Sequence, residues 1–127
     1  MDEDQFYSEA EKASGTYFVA LIDAWEKRGG TLKWGAGGVG LRGPIEGKEI
    51  GICFLAPAYG AKKDRIEFSL TALAKQIGAP RCEALKAALQ KAAGDHLKGA
   101  SMVSIVEPGE LPLASQKSLT SALSKLL

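Results

Sequence analysis

The sequence predicts an α+β domain: a mainly antiparallel sheet of four to five strands, a long N-terminal helix on one face, and two or three C-terminal helices. Three observations predict it. Segments with two-residue alternation cluster between residues 31 and 70 instead of alternating with helices. The links between them are short and glycine-rich, which suits hairpins and not crossovers. Stretches with apolar residues at three- and four-residue steps flank that block on both sides.

The first element reads as one helix. Phe6, Ala10, Ala13, Tyr17, Ala20, Leu21 and Ala24 form an apolar stripe that Trp25 widens. Gly15 interrupts the pattern at a cost of about 1 kcal/mol relative to Ala, so a kink or break there is compatible with it. Gly29-Gly30 ends the helix, since glycine takes the left-handed conformation a C-terminal cap needs.

Strands are expected over Thr31–Trp34, Val39–Arg42, Glu49–Leu55 and Asp64–Leu70. In the third, Ile50, Ile52 and Phe54 form the inward row, with Gly51, Cys53 and Leu55 opposite. In the fourth, Ile66, Phe68 and Leu70 point inward and Arg65, Glu67 and Ser69 outward. Residues 56–63 read as a loop. A short helix over Thr71–Ile77 stops at Gly78, and Pro80 suits the first turn of a longer one over Arg81–Ala93. Gly94 and Gly99 bracket a turn holding His96, Met102–Val106 is a fifth strand, and a last amphipathic helix starts near Ser115. The expected core centres on Ile50, Ile52, Phe54, Ile66 and Phe68 against Tyr17, Leu21 and Ala24.

The 127 residues suit a single domain spanning the whole chain, and 46% hydrophobic with 24% charged residues is ordinary for a packed core. Sixteen Lys and Arg against 15 Asp and Glu leave a net charge of +1, with no whole-molecule attraction to a polyanion. The acidic opening MDEDQFYSEAEK lacks the basic-then-apolar layout of a secretory signal, and no run approaches the ~18 apolar residues of a membrane span. Cys53 and Cys82 are far apart and without metal-ligand spacing, so they read as buried thiols in a reducing compartment. A cytoplasmic location is expected, with no membrane partner.

Gly35-Ala36-Gly37-Gly38-Val39-Gly40 matches the G-x-G-x-x-G pattern of dinucleotide loops. That loop must open a helix whose N-terminus holds the pyrophosphate. Here Leu41-Arg42-Gly43-Pro44-Ile45-Glu46-Gly47 follows, and two glycines and a proline do not make that helix. The glycines suit a hairpin. Glu46-Gly47-Lys48 has the form of half a metal-dependent nuclease site, but it lacks a second carboxylate on a rigid strand and reads as a solvated turn. The only histidine, His96, lies where an imidazole caps the negative end of a helix. No G-x-S-x-G elbow is present, so neither cofactor, metal nor catalytic residue is assigned.

Cys53 is expected on the outer face of the third strand near Arg65, where a cation would favour its thiolate, but a small packing residue under the last helix is the preferred reading. Arg42, Lys48, Lys62, Lys63 and Arg65 gather near strand ends and the outer face, with Tyr59 available to stack on a ring. Glu46, Glu49, Asp64 and Glu67 lie among them, and charges at sheet edges also guard against aggregation.

The run Ala24-Trp25-Glu26-Lys27-Arg28-Gly29-Gly30-Thr31-Leu32-Lys33-Trp34-Gly35, with Ile66-Glu67-Phe68 and Ser104-Ile105, resembles small uncharacterised bacterial α+β domains. The resemblance covers the chain from about Tyr17 onward. It implies a helix leading into a Trp-Gly hairpin, an antiparallel sheet and a helical tail. Such domains stand alone or are appended to larger proteins, some linked to nucleic-acid processing or defence. It carries no catalytic residues over.

The reading that follows is a binding or interaction module, not an enzyme. Its outer sheet face and loop would use Arg42, Cys53, Tyr59, Arg65 and Glu67 for a protein partner or a second copy. Weak, auxiliary nucleic-acid association is the alternative, and a small hydrolase or thiol enzyme using Cys53 or His96 the next.

Overall fold

The computed structural model describes residues 1–13, 17–58 and 63–127, with backbone only at 11–13. Two helices stand at the N-terminal side, α1 (Glu3–Ala13) and α2 (Tyr17–Lys27). The single long rod expected from the sequence is ruled out by Phe6 and Phe18, whose ring centroids stack 5.9 Å apart. Twelve residues of continuous helix would separate them by about 18 Å. The chain therefore doubles back, and the apolar phase restarts in α2. Its buried face is Tyr17, Phe18, Leu21, Ile22 and Trp25, while Ala20 is exposed and Ala24 only half-buried. The bulky residues choose the face, and a stripe drawn straight through from Phe6 missed Phe18 and Ile22.

The sheet follows: β1 (Thr31–Gly35), β2 (Gly38–Ile45), β3 (Lys48–Ala56) and β4 (Arg65–Ser69). After it come α3 (Leu70–Ile77), α4 (Ala79–Ala93), a 3-10 turn (Gly94–His96), β5 (Leu97–Lys98), β6 (Met102–Val106), a second 3-10 turn (Pro108–Glu110) and α5 (Leu113–Ser124). The six strands run in the order β1-β2-β3-β4-β6-β5, and every neighbouring pair is antiparallel. The α+β class and the antiparallel sheet agree with the sequence. The sixth strand does not: two residues of β5 bond to β6 where only a turn is expected. Leu70 also leaves the sheet and opens α3, its N–H donating to Ser101 O.

Both glycine-rich links are tight hairpins. Gly35 pairs with Gly38 across Ala36-Gly37, so the G-x-G-x-x-G stretch is a turn and half a strand, with no helix. Ile45 pairs with Lys48 across Glu46 (φ 52°) and Gly47 (φ 79°), the double positive φ of a type I′ turn. β2 runs on to Ile45 through Pro44 because β1 stops pairing at Arg42, leaving an edge where a missing N–H is tolerated.

A β-bulge sets the phase of β3. Leu41 pairs with Cys53 but Arg42 pairs with Gly51, so Ile52 is an extra residue. An extra residue flips the alternation beyond it. Cys53 and Leu55 therefore share a face with Leu41, Val39 and Ile66, all buried, whereas Phe54 shares the other with Gly40 and Glu67. The inward row expected from the sequence is corrected accordingly: Ile50 and Ile52 are buried, but Phe54 is outward and half-buried.

The covered face carries the core. Trp25, wholly buried, donates its indole N–H to Arg42 O at 2.8 Å and Thr31 O at 3.2 Å, joining α2 to the pair that starts the β1–β2 ladder. Gly30 has to be glycine here, since a Cβ would sit 2.3 Å from that indole nitrogen. Tyr17 reaches Thr120 of α5, and Leu119 and Leu123 of α5 are fully buried. Among the described residues, no helix is long and apolar enough to cross a membrane.

Candidate functional site

The face of the sheet turned away from α2 and α5 can be read row by row from the register. One row crosses every strand: Lys33, Gly40, Phe54, Glu67, Ser104 and Lys98. On one side of it Thr31, Arg42 and Gly51 align, and on the other Ala56, Arg65 and Val106. Phe54 stands at the centre.

Glycine shapes the ground around it. A Cβ on Gly35 would lie 3.6 Å from Phe54 Cε2 and one on Gly37 4.0 Å from Cε1, so the ring lies beside the bare backbone of the β1–β2 hairpin. Gly51 does the same for Arg42, whose Nη1 would be 3.1 Å from a Cβ there. The small residues in these strands thus let one aromatic ring and one guanidinium lie close to the sheet. Where β3 and β4 cease pairing, α3 borders a depression of ≈ 260 Å³ lined by Gly51, Phe54, Glu67, Ser69, Gln76 and Met102, among others. Met102 at its rim is 64% exposed.

The charges on this face are partly committed. Arg65 Nε donates to Glu67 Oε1, and Arg65 Nη1 donates to Lys63 O at 3.2 Å. Arg42 has no carboxylate partner among the described residues. Lys63 pairs with Glu107 at 2.9 Å, which raises the Lys63 ammonium and lowers the Glu107 carboxyl relative to their ordinary values.

Three of the residues expected at the site, Arg42, Arg65 and Glu67, lie on this face; Arg65 and Glu67 touch, and Arg42 stands on the other side of the central row. Cys53 does not lie there. The bulge turns it to the covered side, and burial alone pushes its thiol far above the ordinary value, so the outer-face placement is overturned in favour of a packing role. Tyr59 lies outside the described residues. Phe54 and Met102 are the members that sequence reasoning missed. The unbroken apolar run Ile52-Cys53-Phe54-Leu55-Ala56 was the available signal, because a strand with no polar residue cannot follow simple alternation.

The other candidates resolve as structure. His96 donates from Nδ1 to Val106 O at 2.8 Å, tying the turn after α4 to β6 instead of capping a helix carbonyl. Glu46 and Lys48 belong to the type I′ turn. No group of three His, Cys, Asp or Glu side chains among the described residues is placed to hold a metal ion. Compared with protein-family models, curated proteins and solved structures, the chain matches none.

Proposed function

We propose that the chain is a single-domain binding module that docks a partner protein on the open face of its sheet. The observation that carries this reading is the placement of Phe54. An aromatic side chain on a central strand is left half-exposed beside bare glycine backbone, with Arg42, Arg65 and Glu67 around it. Half-buried aromatic and arginine side chains are the groups that dominate protein contacts once a partner covers them. Met102 and the depression beside it extend the apolar part of the surface. The test replaces Met102 with the photo-crosslinking residue p-benzoylphenylalanine, and separately Lys27 on α2 as a control. Irradiated cells should give a discrete protein adduct from position 102 only, and Arg42→Ala with Arg65→Ala should suppress it. No adduct from 102, or the same adducts from both positions, rules the face out.

A second reading is favoured by the same ring. A half-exposed Phe flanked by Arg42 and Lys33 suits a stacked base with nearby phosphates, as in weak single-strand binding. A single-stranded oligonucleotide retained on filters at low salt, released as salt rises, and lost with Phe54→Ala supports it. No retention at low salt ends it.

A further inference from the structure

On the helical side of the molecule, α4 and α5 lie side by side. Arg81 Nη2 at the start of α4 donates to Leu126 O just past the end of α5, so the two run antiparallel. Their buried leucines, Leu85 and Leu89 from α4 with Leu119 and Leu123 from α5, belong to the core. Above these, the groove between the helices has an opening of ≈ 560 Å³. Two ridges line it at four-residue steps: Ala84, Ala88 and Ala92 on α4, and Ala114, Ser118 and Ala122 on α5. No side chain on either ridge is longer than a methyl or hydroxymethyl group. Ridges this low admit a further helix at the close end of the usual 8–10 Å spacing.

The rim of the groove has one sign of charge. Arg81, Lys91 and Lys125 line it, and no carboxylate does. Arg81 and Lys125 mark one end and Lys91 the other, ten residues from Arg81, or about 15 Å along the axis of α4. Besides its bond to Leu126 O, Arg81 has only a long ion pair, 3.9 Å to the exposed Glu46 carboxylate, which a carboxylate in the groove can replace.

We infer that this groove docks an acidic amphipathic helix of a partner protein, its leucine-type face on the alanine ridges and its carboxylates, about three turns apart, on Lys91 at one end and on Arg81 with Lys125 at the other. An apolar floor fixes helix-in-groove binding, and the uniform rim selects the sign of the partner. The inference stands apart from the sheet face, since the residues are different and lie on the helical layer.

The test uses two synthetic helical peptides with the same leucine stripe, one carrying Glu and the other Lys at every remaining position, measured by fluorescence anisotropy against the intact chain. The Glu peptide should bind at least about tenfold more tightly at low salt, and lose much of that advantage as salt screens the rim. Lys91→Glu with Lys125→Glu should reverse the preference, and Ala88→Gln should weaken the Glu peptide by raising the α4 ridge into the groove. Far-UV circular dichroism and the thermal midpoint of each variant guard against misfolding, and Phe54→Ala, on the other side of the sheet, should bind as the parent does. Equal binding of the two peptides, no binding of either, or a preference untouched by the charge reversal overturns the proposal.

Discussion

Phe54 and Leu55 are consecutive in sequence and lie on opposite sides of one sheet. Leu55 is fully buried among Val39, Ile66 and the helices, while Phe54 is half-exposed beside glycine backbone. The larger of the two residues faces out. The difference shows that burial in β3 is decided by the register of the strand, not by the hydrophobicity of each residue, and that one extra residue, Ile52, sets that register.

The sharpest way to break this contrast is to truncate each side chain in turn. Leu55→Ala removes a core side chain and should cost about 2–5 kcal/mol, because the cavity closes only in part. Phe54→Ala removes a half-exposed ring and should cost about 1 kcal/mol. Urea denaturation of the two variants and the parent measures both. Equal costs would mean that the ring is core and that the bulge does not turn it outward.

A second contrast separates buried from exposed titration. The thiol of Cys53 and the phenol of Tyr17, on the covered side, are both raised by burial, although a hydrogen bond with Thr120 partly opposes the shift at Tyr17. In the unfolded chain they lose their protons near 9.0 and 10.0; in the folded chain they keep them to higher pH. The unfolded state therefore binds fewer protons above those values, so the contribution of these two groups to stability is constant below pH 9 and falls as pH rises beyond it, by up to ~1.4 kcal/mol per pH unit for each group. Tyr17→Phe should make the fall above pH 10 shallower in a series of thermal melts. An unchanged slope would show that Tyr17 ionises as freely folded as unfolded.

Much of the architecture was legible because it is local. The glycine and proline content after Gly35 excluded a nucleotide loop, and Glu46-Gly47 announced a turn. Ile66 and Phe68 alternate with polar residues, and they are buried as that pattern requires. The failures are non-local. The reversal that stacks Phe6 on Phe18 depends on aromatic packing between helices, and the bulge in β3 depends on β2 offering one residue against two. At the site, Arg42, Arg65 and Glu67 were legible because they lie on the polar side of their strands. Cys53 and Phe54 exchanged places because the apolar run around them held no polar residue to mark its phase.

Glycines next to the bulge give a finer test of the two faces. Gly43 and Gly51 neighbour it on adjacent strands. On the covered side, a Cβ at Gly43 would meet Leu127 Cδ2 at 2.3 Å and Trp25 Cζ2 at 3.4 Å. On the open side, a Cβ at Gly51 would meet only the Arg42 guanidinium, at 3.1 Å, and that group can swing away. Gly43→Ala should therefore cost about 1 kcal/mol through overpacking, with Gly51→Ala within about 0.5 kcal/mol of the parent. The reverse order in denaturation would assign the faces of β2 and β3 the other way round.

The smallest effect belongs to the ion pair on the open face. Arg65 and Glu67 are two residues apart on β4, so their side chains leave the same side of the strand and meet above it. Both are partly exposed, at 24% and 35%, and water competes with each of them. Glu67→Gln should therefore change stability by less than about 0.5 kcal/mol, since exposed pairs contribute little. Its consequence lies in binding. Without the carboxylate, Arg65 keeps its bond to Lys63 O but, like Arg42, has no paired anion, so Glu67→Gln should strengthen low-salt retention of a single-stranded oligonucleotide and Glu67→Lys should strengthen it further. If Glu67→Gln melts like the parent and binds no more oligonucleotide, the open face is not an anion-binding surface, and docking of a protein remains the reading that its exposed ring supports.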